Sequence, residues 1–256
     1  MIEKNKPIPV LAPKNSAFSL DWINFYLRFF VDLQLKTISK FLREELKSIK
    51  GNILDVGCGM SPWLTYIPSK VRYTGLDFEN ATKFNMKKNP NTVYYNGVSF
   101  PFQNNQFNNI LCVEVLEHIY DTKKFLREIY RTLDFNGNLF LTVPWSARLH
   151  HLPYDFYRFS PYALNLLLKE AGFKNIKIIR RGNESAVITN KLFIFMWSLL
   201  KPSKKIYLFL NLPTIFLLTP IFILFLLISH LSLMSTPLPG SYQSTDPLGF
   251  SIKARK

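Results

Sequence analysis

Acidic residues are scarce in this chain. Asp and Glu number 17 against 32 Lys and Arg over 256 residues, a formal charge of +15. A surplus of that size favours an anionic partner: nucleic acid, an acidic lipid surface or a phosphate-bearing substrate. Cysteine is also rare. The two present, Cys58 and Cys112, lie in apolar, strand-like contexts and read as reduced core residues of a cytosolic compartment. This excludes a disulfide scaffold and a thiolate metal site, and no metal centre is expected. The first sixteen residues, MIEKNKPIPVLAPKNS, hold no apolar core of a secretory signal, and no internal repeat is visible. The longest gap in charge runs over residues 206–234, IYLFLNLPTIFLLTPIFILFLLISHLSLM, which contain no Lys, Arg, Asp or Glu.

At this length the chain buries one sizeable core with residues to spare for an appendage. Residues 1–19 read as irregular. From Asp21 to Ser48 the apolar residues Ile23, Tyr26, Phe30, Leu33, Ile38, Phe41, Leu42 and Leu46 recur at helical spacing, predicting an amphipathic helix with a basic outer face. The period then changes. NILDVG (52–57), VRYTGLD (71–77), NTVYYN (91–96), NNILCVEV (108–115) and GNLFLTVP (137–144) are short, near-continuous apolar runs. They suit strands of a parallel sheet buried on both faces. The segment 121–133 reads as a helix, and so does 160–173, with Ser160 as N-cap, Pro161 in the first turn and Gly172 at the C-terminus. KNIKIIRR (174–181) reads as a sixth strand. Strand–helix alternation of this kind predicts a doubly wound α/β sheet.

The most informative turn is ILDVGCGMSPW, residues 53–63, where a buried strand runs into Gly57-Cys58-Gly59 and a helix is predicted to begin near Ser61. Glycines here allow unusual backbone angles and close approach to a ligand, and the ligand crevice of an open α/β sheet lies at the carboxyl ends of its strands. A dinucleotide fingerprint would need glycine where Pro62 stands, and the Gly-Lys-Ser/Thr of a P-loop is absent. What is present is Asp55, two residues before the first glycine, and Asp77 at the end of the next strand. A carboxylate at the first position repels a pyrophosphate but suits the cationic amino-acid end of S-adenosylmethionine. One at the second can accept from both hydroxyls of a ribose.

On these residues the chain resembles the class I S-adenosylmethionine-dependent methyltransferases, in the broad branch (type 11-like) that modifies small molecules and glycans. The likeness covers roughly residues 50–182. VSFPFQNNQFNNILCVEVLEHI (98–119) is similar to the fourth-strand segment of that branch, and FLREIYRTLDFNGNLFLTVP (125–144) to its next helix and fifth strand. The resemblance implies a Rossmann-like seven-stranded sheet whose last strand, antiparallel, is formed here by the tail after residue 246. It also implies that Gly57, Cys58 and Gly59 meet the methionine end of the cofactor, that Asp77 holds the ribose, and that YYNGVSFPF lies by the adenine. Asn96 stands where the family often has an acid, Asn108 follows Phe107 in place of an Asp, and Ser61 replaces a third glycine. Each keeps the capacity to hydrogen bond.

Three of the four histidines, His118, His150 and His151, fall where strands four and five should end, the region where this fold places its acceptor. The loop HHLPYDFYRFSP (150–161) collects His150, His151, Asp155, Arg158 and four aromatics. One imidazole is expected to take a proton from the acceptor, oriented by Asp155, while Arg158 grips a phosphate or carboxylate. The alternative is a structural lid in which Asp155 pairs with Arg158. Glu114 is expected to orient cofactor or loop, and His118 is either a catalytic group or a satisfied helix-start histidine. The Pro-Pro-aromatic motif of enzymes methylating planar amino groups and the Pro-Cys of cytosine-C5 enzymes are both missing.

If the tail completes the sheet, both ends of the apolar segment lie on one side of a membrane. Lys201, Lys204, Lys205, Lys253, Arg255 and Lys256 flank it as the cytoplasmic side requires. Pro220 divides the segment into halves too short to cross, which predicts a bent, monotopic insertion; a single crossing or a soluble packing are the alternatives. The expected organisation is residues 1–49 as N-terminal segment and helix, 50–182 as cofactor-binding core, 183–245 as a membrane-associating helical insertion and 246–256 as the last strand. The function expected is methyl transfer at the cytoplasmic membrane face to a hydroxyl, less readily an amine, of a lipid-linked or amphipathic small molecule or saccharide. The anionic membrane surface is the partner of the positive charge and no nucleic acid is expected. An RNA methyltransferase and a non-catalytic membrane scaffold are the competing readings.

Overall fold

The computed structural model describes residues 27–79, 92–202, 206–234 and 244–256. Its strands are β1 (Asn52–Val56), β2 (Arg72–Phe78), β3 (Thr92–Tyr95), β4 (Phe107–Val113), β5 (Leu133–Pro144), β6 (Lys174–Arg181) and β7 (Gly249–Arg255). They form one seven-stranded sheet in the order β3-β2-β1-β4-β5-β7-β6. β7 lies antiparallel between β5 and β6, with Leu141 and Ile178 both opposite Ile252, while the pairs from β3 through β5 are parallel. The class I methyltransferase fold is the one expected, with the tail as its final strand.

Alternate residues of the central strands feed two cores. Leu54, Ile110, Cys112, Leu139 and Leu141 face α2 (Thr122–Thr132) and α3 (Pro161–Glu170), which contribute Phe125, Leu126, Ile129, Leu164 and Leu168. Ile53, Leu111, Val113 and Phe140 face Ile38, Phe41, Leu42 and Leu46 of α1 (Leu33–Leu46). Burial of both faces explains why these strands read as unbroken apolar runs. Caps fix the helix starts: the side chains of Asp32, Asp121 and Ser160 accept from Leu35, Lys124 and Ala163 N–H.

Three local expectations are corrected. The first helix does not run unbroken from Asp21 to Ser48: its helical stretch at 27–31 ends at Asp32, which restarts the helix as the cap of α1, and residues 21–26 lie outside those described. No α-helix follows β1; a turn leads to a single 3-10 turn at Leu64–Tyr66. Pro62 and Pro68 bracket this short segment, and Ser61 takes φ 55°, which a helix forbids. Finally, Pro220 does not divide the apolar segment: α5 (Ile206–Met234) is one helix through both Pro213 and Pro220.

That helix runs antiparallel to α4 (Glu184–Leu199). At the root of the pair Asn183 Nδ2 donates to Ser232 Oγ at 3.0 Å and the Thr189 and Ser229 hydroxyls meet at 2.9 Å. Farther out Phe193 packs by Phe222, and at the tip Asn211 Nδ2 donates to the Leu199 carbonyl at 2.9 Å. Contacts with α4 thus lie before Pro213, at Asn211, and after Pro220, from Phe222 onward. The root is seated on the core through Leu33, Ala186, Val187, Leu226 and Leu248 and through His230, whose ring stacks on Phe30 and whose Nε2 meets the Phe30 carbonyl. Leu226 and Ser229 are the buried residues of α5, and the helix is long and apolar enough to cross a membrane by length and composition.

Candidate active site

The strands β1, β2, β3 and β4 end at a cavity of about 500 Å³. Gly57, Asp77, Phe78, Tyr95 and Val98 line one side, Glu114, Val115, His118, His151, Tyr154 and Phe156 the other. Gly57 is required by both its angle and its surroundings. Its φ is 70°, and a Cβ there would lie 2.4 Å from Val115 Cγ2. The amides of Gly57 and Cys58 both donate to the Leu76 carbonyl, and Gly59 N–H donates to Asp77 Oδ2 at 2.8 Å. These amides are spent within the turn, so a ligand meets the Cβ-free surface of Gly57 rather than those N–H groups.

Asp77 sits at the wall as expected. Its Oδ1 also accepts from Phe78 N–H at 2.7 Å, and burial raises its pKa against the pull of those two amides. Its remaining lone pairs suit ribose hydroxyls, and the aromatic surface of Phe78, Tyr95 and Phe100 beside it suits a planar base. The residues present thus fit an adenosyl cofactor.

Other residues singled out in the sequence hold the turn from outside. Asp55 is buried and does not line the cavity; Tyr73 Oη donates to its Oδ2 at 2.8 Å and lies 2.9 Å from Ser61 Oγ. Burial pushes the Asp55 carboxyl up to about 7, with the Tyr73 hydrogen bond opposing. The Cys58 thiol turns toward Thr92, 3.4 Å away, and burial pushes it up to about 12. Asn96 does not line the cavity either; its side chain accepts from Val98 N–H at 2.9 Å, shaping the bend after β3. Asn108 belongs to the opposite end of the sheet, where it contacts Asn52 and Asp134. Its departure from the family pattern therefore leaves the cavity untouched.

Glu114 reaches the cavity with φ 53° and is held from behind. Arg181, buried at the end of β6, donates to Glu114 Oε1 at 2.7 Å and to the Val143 carbonyl, and Thr142 Oγ1 donates to the same Glu114 oxygen at 2.8 Å. Gly249 leaves room for the guanidinium: a Cβ there would lie 2.4 Å from Arg181 Nη2.

The loop after β5 folds over the carboxyl end of β4 and gathers the histidines. The rings of His118 and His150 stand 4.6 Å apart, His118 and His151 5.0 Å, His150 and His151 5.3 Å. His118 Nδ1 lies 2.8 Å from the Tyr154 carbonyl, so it carries the proton and leaves Nε2 bare. Burial and the neighbouring His150 hold the His118 pKa down to about 4. Asp155 accepts from His150 N–H at 2.9 Å and takes both Arg158 nitrogens, at 2.6 and 2.9 Å. Burial opposes the Asp155 charge, but Arg158 and the His150 amide hold its pKa down to about 2. His150 Nδ1 also stands 3.3 Å from Asp155 Oδ2. In this loop Asp155 pairs with Arg158, the contact of the structural-lid alternative, and also contacts His150.

Sequence reasoning missed Glu117 as a site residue. Its side chain is 0% exposed, neither oxygen has a hydrogen-bond partner, and Oε1 lies 3.6 Å from His118 Nε2 and 3.8 Å from His150 Nε2. Burial, and then the Glu114 charge, raise its pKa well above the usual range. The signal available was Glu114-Val115-Leu116-Glu117-His118 directly after β4.

The methyltransferase domain family model matches residues 28–178. A demethylmenaquinone methyltransferase of Listeria welshimeri is 31% identical over 123 residues, 42% of this chain and 52% of that protein. The chain spans about half the length of the curated relatives it matches. A SAM dependent methyltransferase from Archaeoglobus fulgidus superposes with a TM-score of 0.52 at 17% identity, covering 91% of this chain and 100% of that one. A SAM-dependent methyltransferase from Thermotoga maritima, described as a possible histamine N-methyltransferase, gives 0.52 at 15% identity over 92% and 96%. At such identities these structures speak for the fold. The chain belongs to the methyltransferase domain family, the S-adenosylmethionine-dependent enzymes of Rossmann-like fold.

Proposed function

We propose that this enzyme transfers the methyl group of S-adenosylmethionine to a hydroxyl of a lipid-linked or amphipathic small molecule, such as a saccharide carrier, at the cytoplasmic face of a membrane. The observation that carries this reading is one cavity bounded on one side by Gly57 and Asp77 and on the other by His118, His151, Tyr154 and Phe156. When bound, the cofactor supplies an electrophilic methyl on a sulfonium, which the acceptor oxygen takes as its proton leaves. The chain's own share is to align the acceptor, exclude water and deal with that proton. The histidine cluster, backed by Asp155 and Arg158, is assigned the last task. Asp77 holds the ribose, the Gly57-Cys58-Gly59 turn the amino-acid end, Asp55 and Asn96 support that pocket through the turn and the β3 bend, and Glu114 fixes its floor.

The membrane placement draws on the exposed apolar surface of α5 and the lysines at its start. Both ends of residues 183–245 return to the sheet, since β6 precedes α4 and β7 follows α5, so the pair behaves as an appendage entering from one side. That the acceptor is a small molecule agrees with demethylmenaquinone, the one named for the Listeria relatives. An RNA acceptor is less well served by an apolar appendage.

The test is incubation with methyl-labelled cofactor and a total lipid and glycan extract. Label is expected in the amphipathic fraction, and the His150→Ala and His151→Ala double variant should lose turnover while keeping cofactor affinity. Label confined to RNA, or undiminished turnover in the double variant, would count against the reading.

A further inference from the structure

The pairing of three imidazoles with an orphaned buried carboxyl is not explained by proton transfer alone. One ring nitrogen each from His118, His150 and His151 lies within 4.8 Å of the other two. Tetrahedral coordination by nitrogen at about 2.0–2.1 Å sets ligands about 3.4 Å apart, a contraction within reach of small side-chain rotations. Two of the rings already show the orientation that metal-binding histidines need. His118 directs Nδ1 to the Tyr154 carbonyl, and His150 directs Nδ1 to the Arg148 carbonyl at 3.1 Å and Asp155 at 3.3 Å. Outer partners of this sort fix the tautomer and turn Nε2 inward.

Both inward nitrogens face Glu117 Oε1, the fully buried oxygen that has no hydrogen-bond partner. A buried carboxyl left unpartnered is costly, and the cost ends if a cation arrives. We propose that His118, His150, His151 and Glu117 form a binding site for a divalent transition-metal ion of the zinc type at the acceptor wall of the cavity, contrary to the metal-free expectation from sequence. Nitrogen donors with one carboxylate oxygen select such an ion over magnesium or calcium. His118 and His151 line the cavity, so an acceptor oxygen entering there would join the four protein ligands as a fifth, the expansion that such ions accept during reaction. Resting on the proposed hydroxyl acceptor, the ion would lower the pKa of that hydroxyl so that its proton passes to water before the methyl group arrives, the histidines handling the proton through the ion they hold and not as free bases.

The experiment uses untagged full-length protein freed of metal with a chelator and titrated with cobalt(II), followed by visible absorption and competition with zinc. Uptake of about one ion per chain with d–d bands is expected. The His150→Ala/His151→Ala variant should bind at least about 100-fold more weakly and Glu117→Gln about tenfold more weakly, with S-adenosylmethionine affinity by calorimetry confirming that each is folded. Paramagnetic broadening of the His118 ring in the wild-type protein gives a second readout that needs no variant. Absence of uptake by the wild-type protein, or uptake unchanged in the double variant (an adventitious ion only), would overturn the site. Full methyl transfer by chelated protein would remove the ion's role and leave the acceptor reading standing; binding without transfer to any amphipathic acceptor would do the reverse.

Discussion

Arg181 Nη2 donates to Glu114 Oε1 at 2.7 Å, tying the last residue of β6 to the first residue beyond β4. The guanidinium is buried while the carboxylate borders the cavity, so the pair fixes the cavity floor from the core side. Removing one partner of a buried pair typically costs about 3–5 kcal/mol. Arg181→Met should lower the unfolding free energy by about 3 kcal/mol in urea titration and weaken cofactor binding as Glu114 is released. Glu114→Gln keeps an acceptor oxygen and should cost less. An unchanged urea midpoint in Arg181→Met would show that the pair carries no stability.

Gly57 gives a sharper test of the turn. Alanine there brings both a left-handed φ and a contact with Val115 too short to keep. Overpacking of this kind costs about 1–3 kcal/mol. Gly57→Ala should raise the cofactor Kd by about tenfold or more in calorimetry. Adding Val115→Ala should restore part of the loss, because the clash is relieved but the strained angle remains. If the double variant binds no better than the single, the Val115 contact is not the cause.

Asp55 predicts a pH dependence. Its pKa in the folded protein is raised by burial to about 7, above the value of about 3.9 in an unfolded chain. A raised pKa means that the folded state holds the proton longer. The contribution of Asp55 to stability is therefore fully present below pH 4 and is lost as pH rises through 7. The loss is at most about 4 kcal/mol by linkage. Asp55→Asn, which cannot ionise, should escape it. The variant should gain on the wild-type protein steadily between pH 4 and pH 8 in denaturant titrations without cofactor. A difference that stays flat across that range would show that Asp55 ionises freely.

These tests separate what was legible in the sequence from what was not. The sheet was legible because burial on both faces leaves a local mark: Ile110–Val113 and Leu139–Leu141 are apolar at every position, whichever core each residue joins. Gly57 was legible because its constraint is a backbone one, and Asp77 because it is the charge that closes the run VRYTGLD, one residue before the end of β2. The direction of Asp55 was not, since only the neighbouring strand, through Tyr73, shows that its carboxyl points away from the cavity. Glu117 was least legible. A glutamate beginning a helical turn reads as solvated, and what buries it is a loop almost forty residues on, whose Phe156 amide donates to the Glu117 carbonyl at 2.9 Å. The missing helix after β1 shows the opposite failure: the expectation that a strand and glycine turn lead into a helix outweighed the local evidence of Pro62 and Pro68.

The apolar appendage makes a prediction independent of catalysis. Phe216 on α5 is 81% exposed and Leu224 56%, so water meets both unless lipid covers them. Removing two such side chains from a lipid interface forfeits about 3 kcal/mol, or roughly 100-fold in partitioning. Phe216→Glu/Leu224→Glu should therefore abolish most flotation with vesicles containing anionic lipid. Phe135→Glu, at a residue 71% exposed on the far end of the sheet, should leave it unchanged. Raising the salt should weaken binding only in part, since screening acts on the lysine contribution and not on apolar contact. In cells, a tag placed after Lys256 should resist external protease, because β7 returns the tail to the catalytic core. Equal flotation of all three proteins would mean that α5 is covered by something other than lipid, and cleavage of the tag in intact cells would place the core on the outer face.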